Sequence, residues 1–386
     1  MKISALICEF SPFHFGHEYI LHKMREQSDA VIAIMSGGFT ERGEAGILSK
    51  YARARAAIYG GADLVLELPF PFSSCGAEKF AFGGVSVADA LGCVDELWCG
   101  SEGGDTAAIT QASARLCSAG FKNALASRLS ATFGEQYGEA YFDTYRELYG
   151  ENAPVSGSND ILALAYARTL VERGSKIKFR TVKRQGNAFS GGGNGFMSAT
   201  ELRKMILSGR DVSSLVPDYS AKLIADAVSS GEIYDTERLF LPLAGIFRVG
   251  DTAGFSDAYE CNKELYNRIK SAFQDSASLS EVIEKSVTKR YSPSRVRRAI
   301  LFSALGVTGW NVIQMYYTQV LAANKTGCEI LKSVKKTAGI DIVTKPADYS
   351  SRAYDLAQKA DALLMLTRRR AGASGENMKM SPVIIE

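Results

Sequence analysis

Histidine is scarce in this chain: 386 residues contain three, and all of them, His14, His17 and His22, fall within the first 22 positions. Several other absences exclude whole classes of function. No Gly-Lys dipeptide occurs anywhere, which rules out a P-loop as the phosphate-binding element. The seven cysteines, at 8, 75, 93, 99, 117, 261 and 328, form no Cys-x-x-Cys pair and no regular framework. That spacing argues against a zinc ribbon or a disulfide scaffold and fits reduced thiols in a cytosolic protein. No segment approaches the ~18 uninterrupted apolar residues of a membrane span. Met1-Lys2 leads straight into an apolar run without the charged region and cleavage site of a leader, so a cytoplasmic location is expected. Net charge is only +3, so any polyanion must be met by a local patch rather than by the whole surface. There is no internal repeat or low-complexity tract.

What is present begins with the tetrad His14-Phe15-Gly16-His17. It follows an apolar run, Ile3 to Cys8, that reads as a buried strand, and a short turn, Glu9-Phe10-Ser11-Pro12-Phe13. A helical pattern starts near Glu18. A helix N-terminus carries unpaired N–H groups and the positive end of the dipole, so a strand–turn–helix corner of this kind attracts phosphate. Two imidazoles placed there could contact a polyphosphate and stabilise charge as a phosphorus–oxygen bond breaks. Gly16 would let the backbone approach a nucleotide closely. Two blander readings stand beside this one. The tetrad can arise by chance, and His14, His17 and Cys8 are near neighbours that could ligate a metal, although a fourth ligand at a recognisable spacing is missing. His22 lies about 140° further round the helix than His17 and reads as a packing or surface residue.

The first hundred residues alternate apolar runs (Ile3–Cys8, Ala30–Met35, Leu64–Leu68, Glu96–Cys99) with helical patterns (Glu18–Gln27, Ile47–Tyr59, Ala77–Leu91). Continuous apolar strands separated by helices predict an α/β fold with a parallel sheet covered on both faces. Such sheets bind ligands at the carboxyl ends of their strands. The His-rich turn, Ser36-Gly37-Gly38 and Gly100-Ser101-Glu102 all fall there. Helical patterns fill Asp105–Tyr149 and Asn159–Arg173, and a fifth strand, Ile177–Val182, leads into Lys183-Arg184. The Gly-rich run 190–195 that follows reads either as a linker or as a mobile loop over a site. Beyond Leu207 the alternation stops and the pattern is mostly helical, which predicts a boundary near 208–212 and units of 1–208 and 209–386.

A second phosphate element is Ser198-Ala199-Thr200-Glu201-Leu202-Arg203. Ser198 and Thr200 at a helix start can donate to phosphate oxygens, and Arg203 can reach the same pocket. Taken alone, Ser-x-x-Glu is an ordinary capping box. The helical half carries Lys285, Lys289, Arg290, Arg295, Arg297 and Arg298 without an intervening acid, then Lys332, Lys335, Lys336, Lys345 and Arg368–Arg370. Tyr291, Trp310, Tyr316 and Tyr317 are interspersed and could stack on bases, as in a nucleic-acid surface, whereas most charge runs are solvated faces.

The pairing of His-x-Gly-His after the first strand with Ser-x-Thr-x-x-Arg after the fifth resembles the nucleotidyltransferase superfamily. A closer resemblance rests on a collinear set: Cys8-Glu9-Phe10-Ser11-Pro12-Phe13-His14-Phe15-Gly16-His17, Met35-Ser36-Gly37-Gly38-Phe39-Thr40-Glu41-Arg42-Gly43-Glu44, Gly61-Ala62-Asp63-Leu64-Val65-Leu66-Glu67-Leu68-Pro69, Gly100-Ser101-Glu102, Ser158-Asn159-Asp160-Ile161-Leu162 and Val182-Lys183-Arg184. These stretches resemble the bacterial tRNA(Met) cytidine acetate ligase family, densely over residues 1–206 and more weakly beyond. The resemblance implies a Rossmann-like nucleotidyltransferase domain (1–208) followed by a mostly helical tRNA-binding domain (209–386). It implies an enzyme that uses ATP and acetate to form acetyl-adenylate and pyrophosphate, then acetylates N4 of the wobble cytidine of elongator tRNA(Met). By position, the ATP stretch would be Ile7, Cys8, Glu9, Phe10, Ser11, Pro12, Phe13, His14, Phe15, Gly16, His17, Glu18, Tyr19 and Ile20, with Gly100, Asn159 and Arg184. His14, His17, Ser198, Thr200 and Arg203 would act on the phosphates, Lys289, Arg290, Arg295, Arg297 and Arg298 on tRNA, and Mg²⁺ would accompany ATP. Ser11 and Ser49 depart from the Asn and Asp usual in the family. A small-molecule adenylyltransferase and a non-catalytic RNA-binding protein with a degenerate nucleotide site are the alternatives.

Overall fold

The computed structural model describes residues 1–131, 137–185, 196–250 and 254–386, so the Gly-rich run 190–195 lies outside the described residues. The first five strands are β1 (Ile3–Cys8), β2 (Ala30–Ser36), β3 (Leu64–Leu68), β4 (Glu96–Ser101) and β5 (Lys178–Lys183). Between and after them come α1 (Phe15–Arg25), α2 (Lys50–Tyr59), α3 (Ala77–Leu91), α4 (Thr106–Cys117), α5 (Ala119–Ala131), α6 (Tyr137–Tyr149), α7 (Ser158–Arg173) and α8 (Ala199–Leu207). Every residue of β1, β2 and β3 is buried, as expected of parallel strands covered on both faces. β5 lies at the sheet edge, where its lysines and arginine stay partly in water.

The strands run in the order β5-β4-β1-β2-β3-β6-β7, and β1 to β5 are mutually parallel. The chain steps outward from β1 to β2 and β3, then returns to the far side of β1 to lay down β4. This reversal of strand order between β1 and β4 opens a crevice at their carboxyl ends. The His-x-Gly-His corner leaves β1 there, and Gly100-Ser101 closes β4 on the other side.

The second half is helical as expected: α9 (Asp218–Ser230), α10 (Phe240–Val249), α11 (Lys263–Gln274), α12 (Leu279–Ser286), α13 (Pro293–Leu305), α14 (Lys325–Val334) and α15 (Arg352–Met365). It also supplies β6 (Tyr317–Ala323), β7 (Asp341–Val343) and β8 (Val383–Ile384), strands that the mostly helical reading of this half did not single out. β6 pairs antiparallel with β3, with Leu64 opposite Ala323, and β7 and β8 pair with β6. Its seven residues are all buried, so they show no alternation, and a short buried strand has the same apolar signature as a buried helix segment. One apolar core accordingly draws on both halves, from Ile3 to Met365.

Candidate active site

His14 is the N-cap of α1, in extended conformation. Its Nδ1 accepts the Gly16 N–H at 3.0 Å, and its own N–H donates to His17 Nδ1 at 3.3 Å, a reciprocal cap made by two imidazoles. The rings stack with centroids 3.7 Å apart, and Phe10 covers the other side of His17 at 4.8 Å. The structure adds a reason for Gly16 within the corner itself. A Cβ there would sit 2.9 Å from His14 Cε1, so glycine makes room for the imidazole itself.

Burial first, and the Arg184 cation second, push the His14 pKa down to about 3. Burial, His14 and Arg184 hold His17 well below the ordinary imidazole range. Both rings are therefore uncharged at neutral pH. Because each Nδ1 accepts a backbone N–H, each ring carries its proton on Nε2 and presents one N–H donor. The corner offers two neutral donors beside a helix N-terminus rather than two cations.

The rest of the first motif is held from several directions. Cys8 is buried and its thiol donates to the Ile34 carbonyl at 3.7 Å, which turns it away from a metal-ligand role. Ile7 fills the space that Gly84 leaves open. Glu9 Oε1 accepts the Glu41 N–H at 2.7 Å. Phe10 has a positive φ of 49°, and the Ser11–Pro12 peptide is cis. Ser11 Oγ accepts the Ile47 N–H at 3.0 Å, and Ser49, the other departure from the family pattern, caps α2 through the Ala52 N–H. Phe13 is buried against Gly60, and Ile20 lies in the same core cluster. Glu18 accepts the Tyr219 hydroxyl at 2.8 Å, while Phe15 and Tyr19 both face Phe196.

Phe196 lies two residues before the second motif, so that motif comes up against the first. Arg203 Nη1 donates to the Ser11 carbonyl at 3.0 Å, and Nη2 donates to Thr200 Oγ1 at 3.3 Å. Ser198 caps α8, and Glu201 closes the capping box, so for Ser198 the structural reading describes what the side chain does here. Arg184 follows β5, hydrogen-bonds the Ser101 carbonyl through its backbone, and lays its aliphatic stem over Gly100. Its guanidinium has no hydrogen bond or ion pair among the described residues, which leaves a cation beside the two neutral imidazoles. Asn159 is fixed by Glu102, 2.6 Å from its side-chain amide.

Three organising residues were not singled out from sequence. Arg53, fully buried, donates to the carbonyls of Leu48, Glu9, Ser36 and Gly37 and so ties the turns after β1 and β2 together. Asp160 accepts from Ser101 and Ser156 and from the N–H groups of Glu102 and Gly103, while Glu102 accepts the Asp160 N–H. Burial raises the Asp160 pKa, but these hydrogen bonds outweigh it and hold the carboxyl below its usual range. A signal for Arg53 existed: Lys50, Arg53, Ala54, Ala57 and Ile58 fall at i, i+3, i+4, i+7 and i+8, the inward face of α2.

The basic segment does not form one face. Arg298 is buried and pairs with Glu260 at 2.7 Å and Glu41 at 3.3 Å, and Arg297 pairs with Glu44 at 3.5 Å. Through Glu41 and Glu44 both meet residues of the first 208, and the pairs occupy guanidiniums that sequence assigns to tRNA phosphates. Arg295 is half-buried, donating to the Glu260 carbonyl and lying over the Tyr291 ring. Lys289 and Arg290 remain exposed, Arg290 paired with Glu264 on the surface. Tyr291 and Tyr317 belong to the core and are unavailable for base stacking, whereas Trp310 and Tyr316 are exposed. Arg368 is also buried, held by Glu376 and Tyr234.

The HIGH Nucleotidyl Transferase family profile matches residues 1–377. The tRNA(Met) cytidine acetate ligase of Thermosipho melanesiensis is 31% identical over 364 residues, covering 90% of this chain and 85% of its own. That of Acetivibrio thermocellus is 30% identical over 370 residues, covering 90% and 89%. A crystal structure of Thermotoga maritima TmcAL bound with alpha-thio ATP superposes with a TM-score of 0.90 at 28% identity, covering 100% of this chain and 99% of the other. A corner of stacked histidines at a strand-order reversal, a second motif docked on it, and likeness along nearly the whole chain converge: the protein belongs to the tRNA(Met) cytidine acetate ligase family of HIGH nucleotidyl transferases.

Proposed function

We propose that this protein activates acetate with ATP and passes the acetyl group to N4 of the wobble cytidine of elongator tRNA(Met). In the first step an acetate oxygen attacks the α-phosphorus, the bond to the bridging oxygen breaks, and pyrophosphate leaves. In the second, the cytidine N4 attacks the acetyl carbon, the bond to the adenylate oxygen breaks, AMP leaves, and N4 gives up a proton. Free acetate reacts poorly with an amine because its leaving oxygen is too basic; adenylation replaces it with a good leaving group.

The observation that carries this reading is the uncharged, stacked His14–His17 pair at the N-terminus of α1 beside Arg184, whose guanidinium has no partner among the described residues. Neutral Nε2–H donors in a water-poor corner stabilise charge that develops on phosphate oxygens without repelling one another. In this reading Arg184 meets the ribose or the phosphates, Arg203 and Thr200 the pyrophosphate side, and Gly100 and Asn159 line the nucleotide crevice. Among the described residues no group of three or more His, Cys, Asp or Glu side chains is placed to hold a metal ion. We assign adenylation to residues 1–208 and tRNA docking to 209–386, with exposed Lys289 and Arg290 as phosphate contacts. The names of the relatives and the alpha-thio ATP in the Thermotoga structure support an ATP-binding ligase directed at tRNA(Met).

Incubation with ATP, labelled acetate and total tRNA, followed by nucleoside analysis, should yield N4-acetylcytidine with AMP and pyrophosphate. Orthophosphate as the sole acetate-dependent product, or a nucleotide retained in a small-molecule product, would overturn it.

A further inference from the structure

The Thr40–Glu44 turn lies between two arginines that sequence assigns to different tasks. Thr40 N–H donates to the Glu44 carbonyl and Gly43 N–H to the Thr40 carbonyl, each at 2.9 Å, and Gly43 has a φ of 69°. A Cβ on Gly43 would come 3.1 Å from both Arg297 Cβ and Arg298 N, so only glycine lets this turn rest on the α13 backbone. The turn delivers the Glu44 carboxylate between two guanidiniums. Oε2 is 3.0 Å from Arg203 Nη2, and Oε1 is 3.5 Å from Arg297 Nη1. The three side chains are 21%, 17% and 25% exposed, so water screens this group only partly.

The charges decide what the arrangement does. A carboxylate paired with Arg203 alone would present a neutral pair to an incoming polyphosphate. Two guanidiniums sharing one carboxylate leave a net positive charge, while Arg203 stays tethered at the Ser11 carbonyl and Thr200.

We propose that Glu44 and Arg297 are positioning residues for the nucleotide half-reaction: Glu44 fixes Arg203 beside the first motif, and Arg297, by sharing that carboxylate, keeps the Arg203 charge available to the pyrophosphate. The proposal rests on the ATP-dependent reading above. It moves Arg297 from the tRNA surface to the adenylation site, through a contact made across the chain from α13.

The full-length protein is tested by ATP titration calorimetry and by steady-state acetylation of total tRNA. Arg297→Gln leaves Arg203 in a neutral pair and should weaken ATP binding by about five-fold, the scale of a partly exposed ion pair. The salt dependence of its tRNA binding should not change. Arg297→Lys keeps the charge and should restore ATP affinity. Glu44→Gln frees the Arg203 charge but loosens its tether, so kcat should fall while ATP binding is not weakened. The double variant should behave like Glu44→Gln alone, because Arg297 then has nothing to share. Independent, multiplying effects would overturn the proposal. So would an Arg297→Lys protein that binds ATP as poorly as Arg297→Gln, or an Arg297→Gln protein that loses tRNA affinity and keeps ATP affinity. If wild-type protein binds no ATP, the underlying reading has failed and this one with it; if wild type binds ATP and the cycle is additive, only this inference has failed.

Discussion

At the start of α1 two titratable side chains lose their charge, whereas the basic side chains just before and within α13 face two ways. His14 and His17 stack under Phe10, where desolvation keeps the imidazoles neutral. Arg297 and Arg298 turn inward to Glu44, Glu41 and Glu260, while Lys289 and Arg290 stay on the surface. In sequence both regions read as compact clusters of polar groups. Only the surroundings tell a donor pair from a cation pair, or a structural arginine from a phosphate-binding one. An arginine next to an arginine in sequence need not share its solvent.

The largest effect that could break this contrast is catalytic. His14→Ala or His17→Ala should lower kcat and kcat/KM together by ~10²–10³, the scale of a lost oxyanion donor, with folding little changed. A variant with wild-type turnover would show that the corner is only a helix cap. Next comes stability on the inward side of the basic segment. Arg298→Ala strands the Glu260 and Glu41 carboxylates and should cost on the order of 3 kcal/mol, read by urea denaturation, with the salt slope of tRNA binding unmoved. A changed slope would put Arg298 back on the nucleic-acid surface. On the outward side, Lys289→Ala with Arg290→Ala should flatten the plot of log affinity against log salt by roughly 0.7–0.9 for each phosphate no longer neutralised. An unchanged slope would leave this segment a solvated face.

A further effect concerns pH. An imidazole in the unfolded chain takes up a proton near pH 6.5. In the folded protein His14 does so only near pH 3. The unfolded state therefore binds more protons as pH falls below 6.5, and stability should decline from there toward pH 3, with no contribution from this group above 6.5. Between pH 7 and 9 the rate profile should show no inflection from either histidine. An imidazole titration midpoint near 6.5 by NMR in the folded protein would contradict the neutral-donor assignment.

Much of the first 208 residues was legible because its signals are local. Apolar runs of four to six residues with helices between them state a parallel sheet, and the His-x-Gly-His tetrad sits where such a sheet gathers its loops. The bounds of β3 and α3 agree with the apolar and periodic patterns residue for residue. Arg53, Glu44 and β6 were less legible, because each takes its meaning from partners far along the chain. Arg53 reaches back to Glu9, 44 residues away, and β6 completes the sheet beside β3 from the other end of the sequence.

The sequence by itself determined the strand–turn–helix corner, the second motif and the family, since all of these are short-range patterns or collinear matches. Tertiary structure decided the charge states and the directions. Whether an imidazole is protonated depends on how much water the fold leaves around it. Whether an arginine meets a carboxylate or a solvent-exposed anion depends on which loop is folded against it. Solvation and distant partners are properties of the packed molecule, and neither is written in the order of residues near the group concerned.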